Sequence, residues 1–401
     1  MTDDRCSPIL WATFFGTSRM AHKNLIAEIE QHLQIGNLDR AEQLLRSIRW
    51  STTGIPKVAR LNAVLALCKG NYAPAEKAFS DLAHRGDADS ACWLAAMQQL
   101  LAAGGQMVSE NLFAQVSVER LRRSPYLDYP LEVHIETLSQ CNAACTFCPY
   151  PTLDRLGTRM EDALIDKIID DLSVIPAELP FGIAPFKVND PLIDRRIFDI
   201  CTRINQRLPN AHLRLFTNGA PLTDTNIARI ARLERLQHLW VSLNEHQAER
   251  YQQVMGIPLA PTLKCLDRLH AAVVAGDFHR PVIISRVRDR TDADHEFLAF
   301  VQARYPRFAI SLLPHASWAG QMKDVEGLLP PVTGCTRWFE LSIMSTGKVA
   351  LCCMDGEGRH VIGDVCNDSA IAIYNQPAYR RLRESVGVRQ QAAAPCHGCS
   401  L

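Results

Sequence analysis

The sequence predicts an α/β protein, with an all-α region before the α/β part and a small cysteine-rich extension of β-hairpin and helix after it. Three observations support this fold class. Glycines recur at a spacing of 34 near the start, short β-rich runs alternate with amphipathic helical stretches from Leu131, and six cysteines follow Gly334. With 401 residues, 47% of them hydrophobic, the chain is long enough for two or three domains.

Composition excludes several classes of partner. Acidic and basic residues balance at 43 each, so no net charge attracts nucleic acid or an anionic membrane. No stretch approaches the roughly 20 apolar residues of a membrane helix. The start, "MTDDRCSPILWATFFG", has acidic residues where a secretory signal has basic ones. We therefore predict a cytoplasmic protein with neither nucleic acid nor membrane as a partner.

Fourteen cysteines are a second compositional signal. Because the cytosol keeps thiols reduced, clustered cysteines in such a chain indicate metal ligation rather than structural disulfides. Isolated cysteines are interpreted instead as small buried apolar residues. This second group consists of Cys6, Cys68, Cys92, Cys201 and Cys265.

The N-terminal glycines belong to a repeat. Gly36, Gly70 and Gly104 open "GNLDRAEQLL", "GNYAPAEKAF" and "GGQMVSENLF", each with a small residue, a glutamate and a large apolar residue at fixed offsets. A glycine ends one helix, and the small residue lets the next helix pack closely. Period and pattern resemble the tetratricopeptide repeat over residues 21 to about 117. The resemblance implies a surface that binds a peptide or protein; the alternative is a helical cap that only packs on its neighbour or dimerises.

Six βα units follow the repeats. Their helical stretches include "EDALIDKIIDDL", and "FTNG" at the end of the third run predicts a strand ending in a turn. Such units form a parallel sheet, either a partial barrel or a doubly wound sheet, with the active site at the carboxyl ends of the strands. The strand candidates are "LEVHIE" from Leu131, "FGIAPFKV" from Phe181, "HLRLFT" from His212, "HLWVSL" from His238, "PVIISRV" from Pro281 and "FAISLL" from Phe308.

Three cysteines, Cys141, Cys145 and Cys148 in "CNAACTFC", follow the first predicted strand. A structural zinc site normally has four ligands in two close pairs, whereas here no histidine stands nearby as a fourth ligand. Three thiolates on a 4Fe-4S cluster would leave one iron open to another ligand. This motif, CxxxCxxC in the loop after the first strand of a βα barrel, resembles that of the radical S-adenosylmethionine (radical SAM) superfamily.

The resemblance implies a partial (β/α)6 barrel of the TIM type and a 4Fe-4S cluster with three cysteine ligands. The open iron would chelate the amino and carboxylate groups of S-adenosylmethionine. One electron, from a donor such as flavodoxin or ferredoxin, would then release a 5'-deoxyadenosyl radical that abstracts a substrate hydrogen atom. Phe147, just before the last cysteine, would pack near the adenine.

Further cofactor contacts follow from the same resemblance. Many family members carry Gly-Gly-Glu-Pro after the second strand; this chain has "VNDPLID", in which Asp190 would bind the amino group. Ser242 and Asn244 would bind the ribose, and Ser285 and Arg286 the cofactor carboxylate. Ordinary polar residues at strand ends would give the same pattern, which is the alternative.

The C-terminal cysteines form a second set. "FELSIMSTGKVALCCMD" predicts a β-hairpin turning at Ser345 to Gly347. Four spaced thiols satisfy either zinc or a 4Fe-4S cluster. The hairpin and the trailing CxxC resemble the SPASM/twitch extension of radical SAM enzymes. That resemblance implies one auxiliary 4Fe-4S cluster held by Cys335, Cys352, Cys396 and Cys399.

Three tail residues have open roles. Cys353 is the alternative to Cys352, because neighbouring strand residues point to opposite faces and both cannot easily hold one cluster. Cys366 is interpreted as a core thiol, with a ligand or hydrogen-atom donor as the alternative. Asp355 lies near the hairpin cysteines and is interpreted as a solvated turn residue rather than a proton acceptor. No catalytic acid or base is assigned.

The predicted function is radical SAM chemistry on a peptide, protein or natural-product intermediate, with the auxiliary cluster assisting oxidation. A small-molecule dehydrogenase or epimerase, acting on a sugar or an amino-acid derivative, is the alternative, and a zinc scaffold without catalysis is a third class. The predicted segments are an N-terminal extension (1–20), helical repeats (21–120), a radical SAM core (128–325) and a SPASM/twitch-like domain (330–401).

Overall fold

The computed structural model describes residues 20–48, 56–322 and 331–399. All of the predicted N-terminal extension except Met20 lies outside the described residues, as does Cys6. The described chain forms two compact units, each of which takes residues from more than one part of the sequence. Of the described residues, the first unit contains 20–48, 56–124, 331–336 and 385–397. The second unit contains 125–322, 337–384 and 398–399.

Six helices make up most of the first unit. Gly36, Gly70 and Gly104 follow the first, third and fifth of them with φ of 74°, 81° and 68°, a left-handed conformation that suits glycine at a helix end. The predicted helix-ending role of these glycines is confirmed, and their assignment to the tetratricopeptide family stays a prediction. The helices are α1 (Met20–Gln34), α2 (Leu38–Ser47), α3 (Pro56–Cys68), α4 (Tyr72–His84), α5 (Ala88–Ala102) and α6 (Ser109–Arg122).

An aromatic group forms the centre of the core of this unit. Trp93 on α5 stacks on Phe79 with ring centroids 5.9 Å apart and meets Phe113 edge-on at 5.0 Å. The small repeat residues Ala41 and Ala75 are fully buried. Their lack of a long side chain allows close helix packing, as the repeat pattern predicts.

Two tail segments belong to the first unit through α6. The fully buried Gln115 donates from its amide nitrogen to the Gly387 carbonyl at 2.9 Å and accepts from the Gly334 amide at 2.7 Å. Arg122 donates to the carbonyl of Val386 at 2.7 Å. A buried amide must have such partners, so these bonds fix the two tail segments on the helix.

The second unit alternates strands and helices. Its strands are β1 (Glu132–Ile135), β2 (Phe181–Ala184), β3 (Ala211–Thr217), β4 (Leu236–Ser242), β5 (Val282–Val287), β6 (Ala309–Leu313), β7 (Glu340–Ile343), β8 (Lys348–Ala350) and β9 (Val361–Asp364). Its helices are α7 (Asp162–Leu172), α8 (Ile197–Arg207), α9 (Asp224–Ala231), α10 (Ala248–Met255), α11 (Leu259–Ala275), α12 (Asp292–Arg304), α13 (Ala370–Tyr374) and α14 (Pro377–Ser385).

Within the described residues, nine strands form one sheet in the order β6-β5-β4-β3-β2-β1-β7-β8-β9. The first six are parallel neighbours in chain order, β7 joins β1 in parallel, and β7, β8 and β9 pair antiparallel. The predicted α/β class, the parallel sheet and the hairpin are confirmed. The order lacks the reversal of a doubly wound sheet, and the partial barrel stays a prediction.

Periodicity explains the helices that pack on the sheet. On α7, Ile165, Ile168, Ile169 and Leu172 recur at the spacing of one helix face and are fully buried, together with Val133 of β1. Burying such a face against a sheet contributes most of the stability of an amphipathic helix. None of the described helices is both long and apolar enough to cross a membrane.

A buried ion pair connects β1 to the hairpin turn. Glu136, immediately after β1, is fully buried and accepts two hydrogen bonds from Arg155, at 2.8 and 2.9 Å. The same carboxylate accepts from the backbone amide of Ser345 in the turn between β7 and β8, at 3.2 Å. The charge of Glu136 is thus balanced entirely inside the protein.

Removing Arg155 is expected to destabilise the second unit strongly. Arg155→Ala leaves the Glu136 carboxylate buried without its cation, which costs about 3–5 kcal/mol. Arg159→Ala is the matched control, since the Arg159 and Asp162 side chains are 47% and 46% exposed and such pairs contribute roughly 0–1 kcal/mol. Denaturant unfolding of both variants measures the difference; equal losses would contradict this account of Glu136.

Candidate iron-sulfur site

The three cysteines of the motif lie where the sequence places them, in the loop that follows β1. Cys141, Cys145 and Cys148 are all partly buried free thiols. In a parallel sheet, this loop stands at the carboxyl edge of the strands, where catalytic groups gather. The loop therefore brings three sulfur ligands to one end of the sheet.

The C-terminal end of α10 holds this loop by backbone bonds. The amide of Ala144 donates to the Met255 carbonyl at 3.0 Å, and the amide of Thr146 donates to the Val254 carbonyl at 2.9 Å. Gly256 ends the helix with φ 70°, and a Cβ at this position would lie 3.1 Å from the Cβ of Ala144. A side chain at position 256 would therefore crowd the cysteine loop, which glycine does not.

The turn after β3 meets the first cysteine. Asn218 places its amide nitrogen 3.8 Å from the Cys141 sulfur and donates to Asn142 at 2.7 Å. The amide of Ala143 also approaches that sulfur, at 3.5 Å. Weak donors around a sulfur stabilise the thiolate form that a metal requires.

Asp190 lies behind this turn and is almost fully buried. Its carboxylate accepts from the Thr217 hydroxyl and the Asn218 amide, each at 2.9 Å, and from the Leu192 amide at 3.1 Å. Burial raises the pKa of Asp190 to about 6 against the effect of these donors. The carboxylate therefore links the loop after β2 to the end of β3 by hydrogen bonds. Its contact with a cofactor amine stays a prediction.

The free thiols of the motif are poor acids. Burial, and then the charge of Asp190, raises the pKa of Cys141 to about 12, and burial raises that of Cys148 to about 11. Burial also raises the pKa of Cys145, with the two neighbouring thiols adding to the effect. Ligation by a cation reverses this preference, because metal binding replaces the proton.

The three loop thiols can be compared with the ligand sets of a zinc ion and of a 4Fe-4S cluster. The sulfurs of one zinc ion lie about 3.8 Å apart, given a Zn–S distance of about 2.3 Å and tetrahedral geometry. Across the described residues, one group of three ligand atoms has all members within 4.8 Å of one another, and it does not consist of the loop sulfurs. Three thiolates of one loop can each bind a different iron of one cluster, so the donor set fits a 4Fe-4S cluster.

The other predicted cofactor residues lie at the ends of β4 and β5. Ser242 and Ser285 are register partners on these strands. The Ser285 hydroxyl accepts from the indole of Trp240 at 2.8 Å. Asn244 has φ 64°, and its side chain accepts from the Val287 amide at 2.9 Å. The structure brings these residues together, while their contacts with a cofactor stay predictions.

Arg286 is buried among carboxylates. Its guanidinium donates to Asp294 at 2.7 Å, to Asp289 at 2.8 Å and to Glu245 at 3.2 Å. It also donates to the Asn244 carbonyl. Burial alone would lower the pKa of Arg286, but these carboxylates raise it. Its positive charge is already balanced, and its predicted role with the cofactor carboxylate stays a prediction.

Phe147 is partly buried, and its carbonyl accepts from the indole of Trp318 at 2.8 Å. The bond joins the cysteine loop to the segment after β6. It fixes the backbone just before Cys148 rather than the Phe147 ring. The contact of that ring with adenine stays a prediction.

The four predicted auxiliary ligands divide between the two units. Cys335 and Cys396 belong to the first unit, and Cys352 and Cys399 belong to the second. All four are partly buried free thiols. Cys335 precedes a short helical turn at Thr336–Phe339, whereas Cys352 follows β8.

A buried lysine that the sequence analysis missed contacts the backbone of the hairpin cysteines. Lys187 is 1% exposed, and its ammonium donates to the Ser342 hydroxyl at 3.1 Å and to the carbonyls of Cys352 and Cys353 at 3.3 and 3.4 Å. Burial lowers its pKa, against the effect of nearby anionic groups. Long-range pairing of this kind has no local signal in the sequence.

Two interpretations of tail residues need correction. Asp355 is not solvated: it is fully buried and accepts from three backbone amides at 2.8 to 3.1 Å, so it shapes the turn after β8. Cys366 is exposed rather than a core thiol. Of the isolated cysteines, Cys92 and Cys201 are buried as predicted, whereas Cys68 and Cys265 are only partly buried.

Among the comparisons with known proteins, one family model matches the C-terminal tail. Residues 335–400 match the model of the SPASM family, described as an iron-sulfur cluster-binding domain. The tail is similar to SPASM domains. The iron-sulfur part of the cofactor prediction is confirmed by this match. No curated protein sequence matches the chain.

Three solved structures can be aligned with this chain. SuiB of Streptococcus suis bound to precursor peptide SuiA aligns at 13% identity with a TM-score of 0.52, over 73% of this chain and 74% of SuiB. BtrN in complex with AdoMet and 2-DOIA aligns at 15% identity and 0.47, over 68% of this chain and 93% of BtrN. Native anSMEcpe with bound AdoMet aligns at 10% identity with a TM-score of 0.48, over 67% of this chain and 88% of anSMEcpe. The likeness to SuiB shows a common fold.

We expect Gly256→Ala to weaken the cysteine loop. An alanine must adopt a left-handed conformation at a cost of about 1–2 kcal/mol and also press on Ala144. The control is Gly276→Ala, which ends α11 at φ 82° with its nearest side-chain atom at 3.8 Å and so pays the conformational cost alone.

The measurement is iron content after anaerobic reconstitution, together with thermal unfolding. Gly256→Ala should retain about half of the iron of the unmodified protein, since one of two clusters is affected. Gly276→Ala should retain all of it, with a melting temperature lowered by the conformational cost alone. Equal iron in both variants would contradict the role of Gly256 in shaping the loop.

Proposed function

We propose that the protein is a radical SAM enzyme that cleaves S-adenosylmethionine reductively and removes a hydrogen atom from a peptide or protein side chain or a natural-product intermediate. The observation that carries the proposal is the CxxxCxxC loop at the carboxyl end of β1, one of six parallel strands, with its three partly buried free thiols. The SPASM match of the tail supports it independently.

Cys141, Cys145 and Cys148 would hold the first cluster and leave one iron for the cofactor. When bound, cluster and S-adenosylmethionine supply a carbon radical that abstracts hydrogen. The chain itself positions and shields these groups. Asn218 lies against Cys141, and the end of α10 closes one side of the loop. Flavodoxin or ferredoxin is the class of electron donor that we propose.

Cys335, Cys352, Cys396 and Cys399 would hold one auxiliary 4Fe-4S cluster, so that no iron of this cluster is open to substrate. When bound, such a cluster would supply an acceptor for one electron of a substrate oxidation, and the other electron would leave with the abstracted hydrogen atom.

A peptide is the substrate class that we favour. SuiB, which shares the fold, is bound to a precursor peptide in its structure. Tyr72, Leu101 and Val108, in or next to the helices α4–α6, are each 41–47% exposed. The concave faces of helical repeat arrays are common peptide-binding surfaces.

We expect the anaerobically reconstituted protein to contain about eight irons per chain, four for each cluster. With dithionite and S-adenosylmethionine it should form 5'-deoxyadenosine. Cys145→Ala should abolish this product and lower iron to about four per chain, because only the tail cluster remains. Chromatography of the nucleoside products and metal analysis provide the readouts.

The control is Cys201→Ala, which removes a fully buried thiol outside both cysteine sets. It should retain iron and nucleoside formation. Continued cleavage by Cys145→Ala would overturn the assignment of the first cluster. Four irons with zinc in the tail would remove the auxiliary redox role and leave the first cluster intact.

The helical region is expected to bind the peptide. Deleting α1–α4 keeps α5 and α6, and with them the bonds of Gln115 to the tail. This variant should still form 5'-deoxyadenosine without substrate but lose at least tenfold in turnover of the peptide, because about 1.4 kcal/mol of binding corresponds to tenfold. Unchanged turnover would show that the helices do not recognise substrate.

A further inference from the structure

Three potential metal ligands meet inside the second unit, apart from the motif cysteines. His134 lies on β1, Glu340 begins β7, and Cys353 follows β8. One ring nitrogen, one carboxylate oxygen and one sulfur all lie within 4.8 Å of one another. The three residues are 5%, 7% and 9% exposed, so the group is almost completely enclosed.

Sheet register explains why these residues meet. β1 and β7 are parallel neighbours, with Glu132 opposite Glu340 and His134 opposite Ser342. Residues two positions apart on adjacent strands share a face, so His134 and Glu340 are diagonal neighbours. Nε2 of His134 lies 3.5 Å from a carboxylate oxygen of Glu340.

Nε2 of His134 lies at ion-pair distance from two carboxylates, 3.5 Å from a Glu340 oxygen and 3.8 Å from a Glu132 oxygen. Neither of its ring nitrogens has a hydrogen-bond partner of acceptable geometry, although the residue is buried. Buried polar atoms nearly always have a partner, and a bound ion or water can supply one where protein atoms are poorly placed. The imidazole faces an anionic carboxylate and a sulfur, which are both metal ligands.

We propose that His134, Glu340 and Cys353 form a mononuclear site for a divalent cation, with zinc as the ion that best suits the set. Histidine nitrogen, carboxylate oxygen and thiolate are the three common protein ligands of zinc. Three protein ligands leave a fourth position for water or an oxygen atom of another molecule, as in catalytic zinc sites. None of the three residues is among the seven cysteines proposed to hold the iron-sulfur clusters.

Arg337 contacts two of the three residues directly. Its guanidinium lies 2.9 Å from the Cys353 sulfur and 3.2 and 3.3 Å from the Glu340 oxygens. Ligating carboxylates and thiolates commonly accept such outer hydrogen bonds, which orient them. The thiolate and the carboxylate together neutralise a divalent ion. The Arg337 side chain is 33% exposed, so water can solvate its own charge.

The remaining charges near the site are already paired. Glu132, 3.8 Å from the His134 ring, is bonded to Arg214. Lys187 donates to the backbone carbonyl of Cys353 rather than to its sulfur. Assigning Cys353 to this group leaves Cys352 as the ligand of the auxiliary cluster, which is the choice that the sequence favours.

The test uses the full-length protein with its iron-sulfur clusters loaded anaerobically. The protein is equilibrated with Zn²⁺ at low micromolar concentration and passed through a desalting column, and zinc and iron are measured per chain. We expect one zinc per chain beside an unchanged iron content. X-ray absorption at the zinc edge should show one sulfur ligand, with nitrogen or oxygen for the rest.

His134→Ala and Glu340→Gln should each lower zinc affinity at least tenfold while iron stays constant. Cys366→Ser is the matched control, because it removes an exposed thiol outside the group and should keep the zinc. Glu340→Gln preserves the shape of the side chain and so keeps the test informative if His134→Ala unfolds.

Two results would overturn the proposal. One is the absence of stoichiometric zinc from the loaded protein, or zinc that His134→Ala and Glu340→Gln leave unchanged. The other is a Cys353→Ser variant that loses iron together with zinc, which would assign Cys353 to the auxiliary cluster. Failure of S-adenosylmethionine cleavage would leave this test unaffected, since it depends on zinc binding alone.

Discussion

The pairing of β1 is the constraint on which the second unit depends. This four-residue strand bonds to β2 on one side and to β7 on the other, so it joins the six-strand sheet to the C-terminal hairpin. The loop after β1 carries the CxxxCxxC motif, and the hairpin beside it carries Cys352 and Cys353. Both groups of cysteines therefore lie next to one strand, and the register of that strand determines which side chains share a face.

Much of this arrangement was predictable from local patterns. The six parallel strands, the hairpin turn and the repeat glycines all have short-range signals: β-rich runs, a glycine between strands and a fixed period. The strand-end position of Cys141, Cys145 and Cys148 follows from the same patterns. Each of these features depends on residues close together in the chain, and for that reason sequence analysis could find them.

The features that sequence analysis missed depend on distant partners. Gly256 looks like an ordinary helix end until the structure places it on Ala144, and Asn218 looks like a turn residue until Cys141 lies beside it. Asp355 was interpreted as solvated because its three amide donors come from a turn whose burial depends on tertiary packing. Burial and long-range contact are properties of the folded chain, which no short window contains.

The parallel pairing of β1 with β7 also has a consequence for biosynthesis. Roughly half of the chain separates these strands, so the ribosome completes the first six strands well before β7 exists. During that interval one edge of β1 presents unpaired amides and carbonyls beside buried apolar residues, an edge of the kind that promotes association between chains. The hairpin covers that edge once β7 has been synthesised and pairs with β1. The C-terminal segment therefore also protects the nascent sheet from association with other chains.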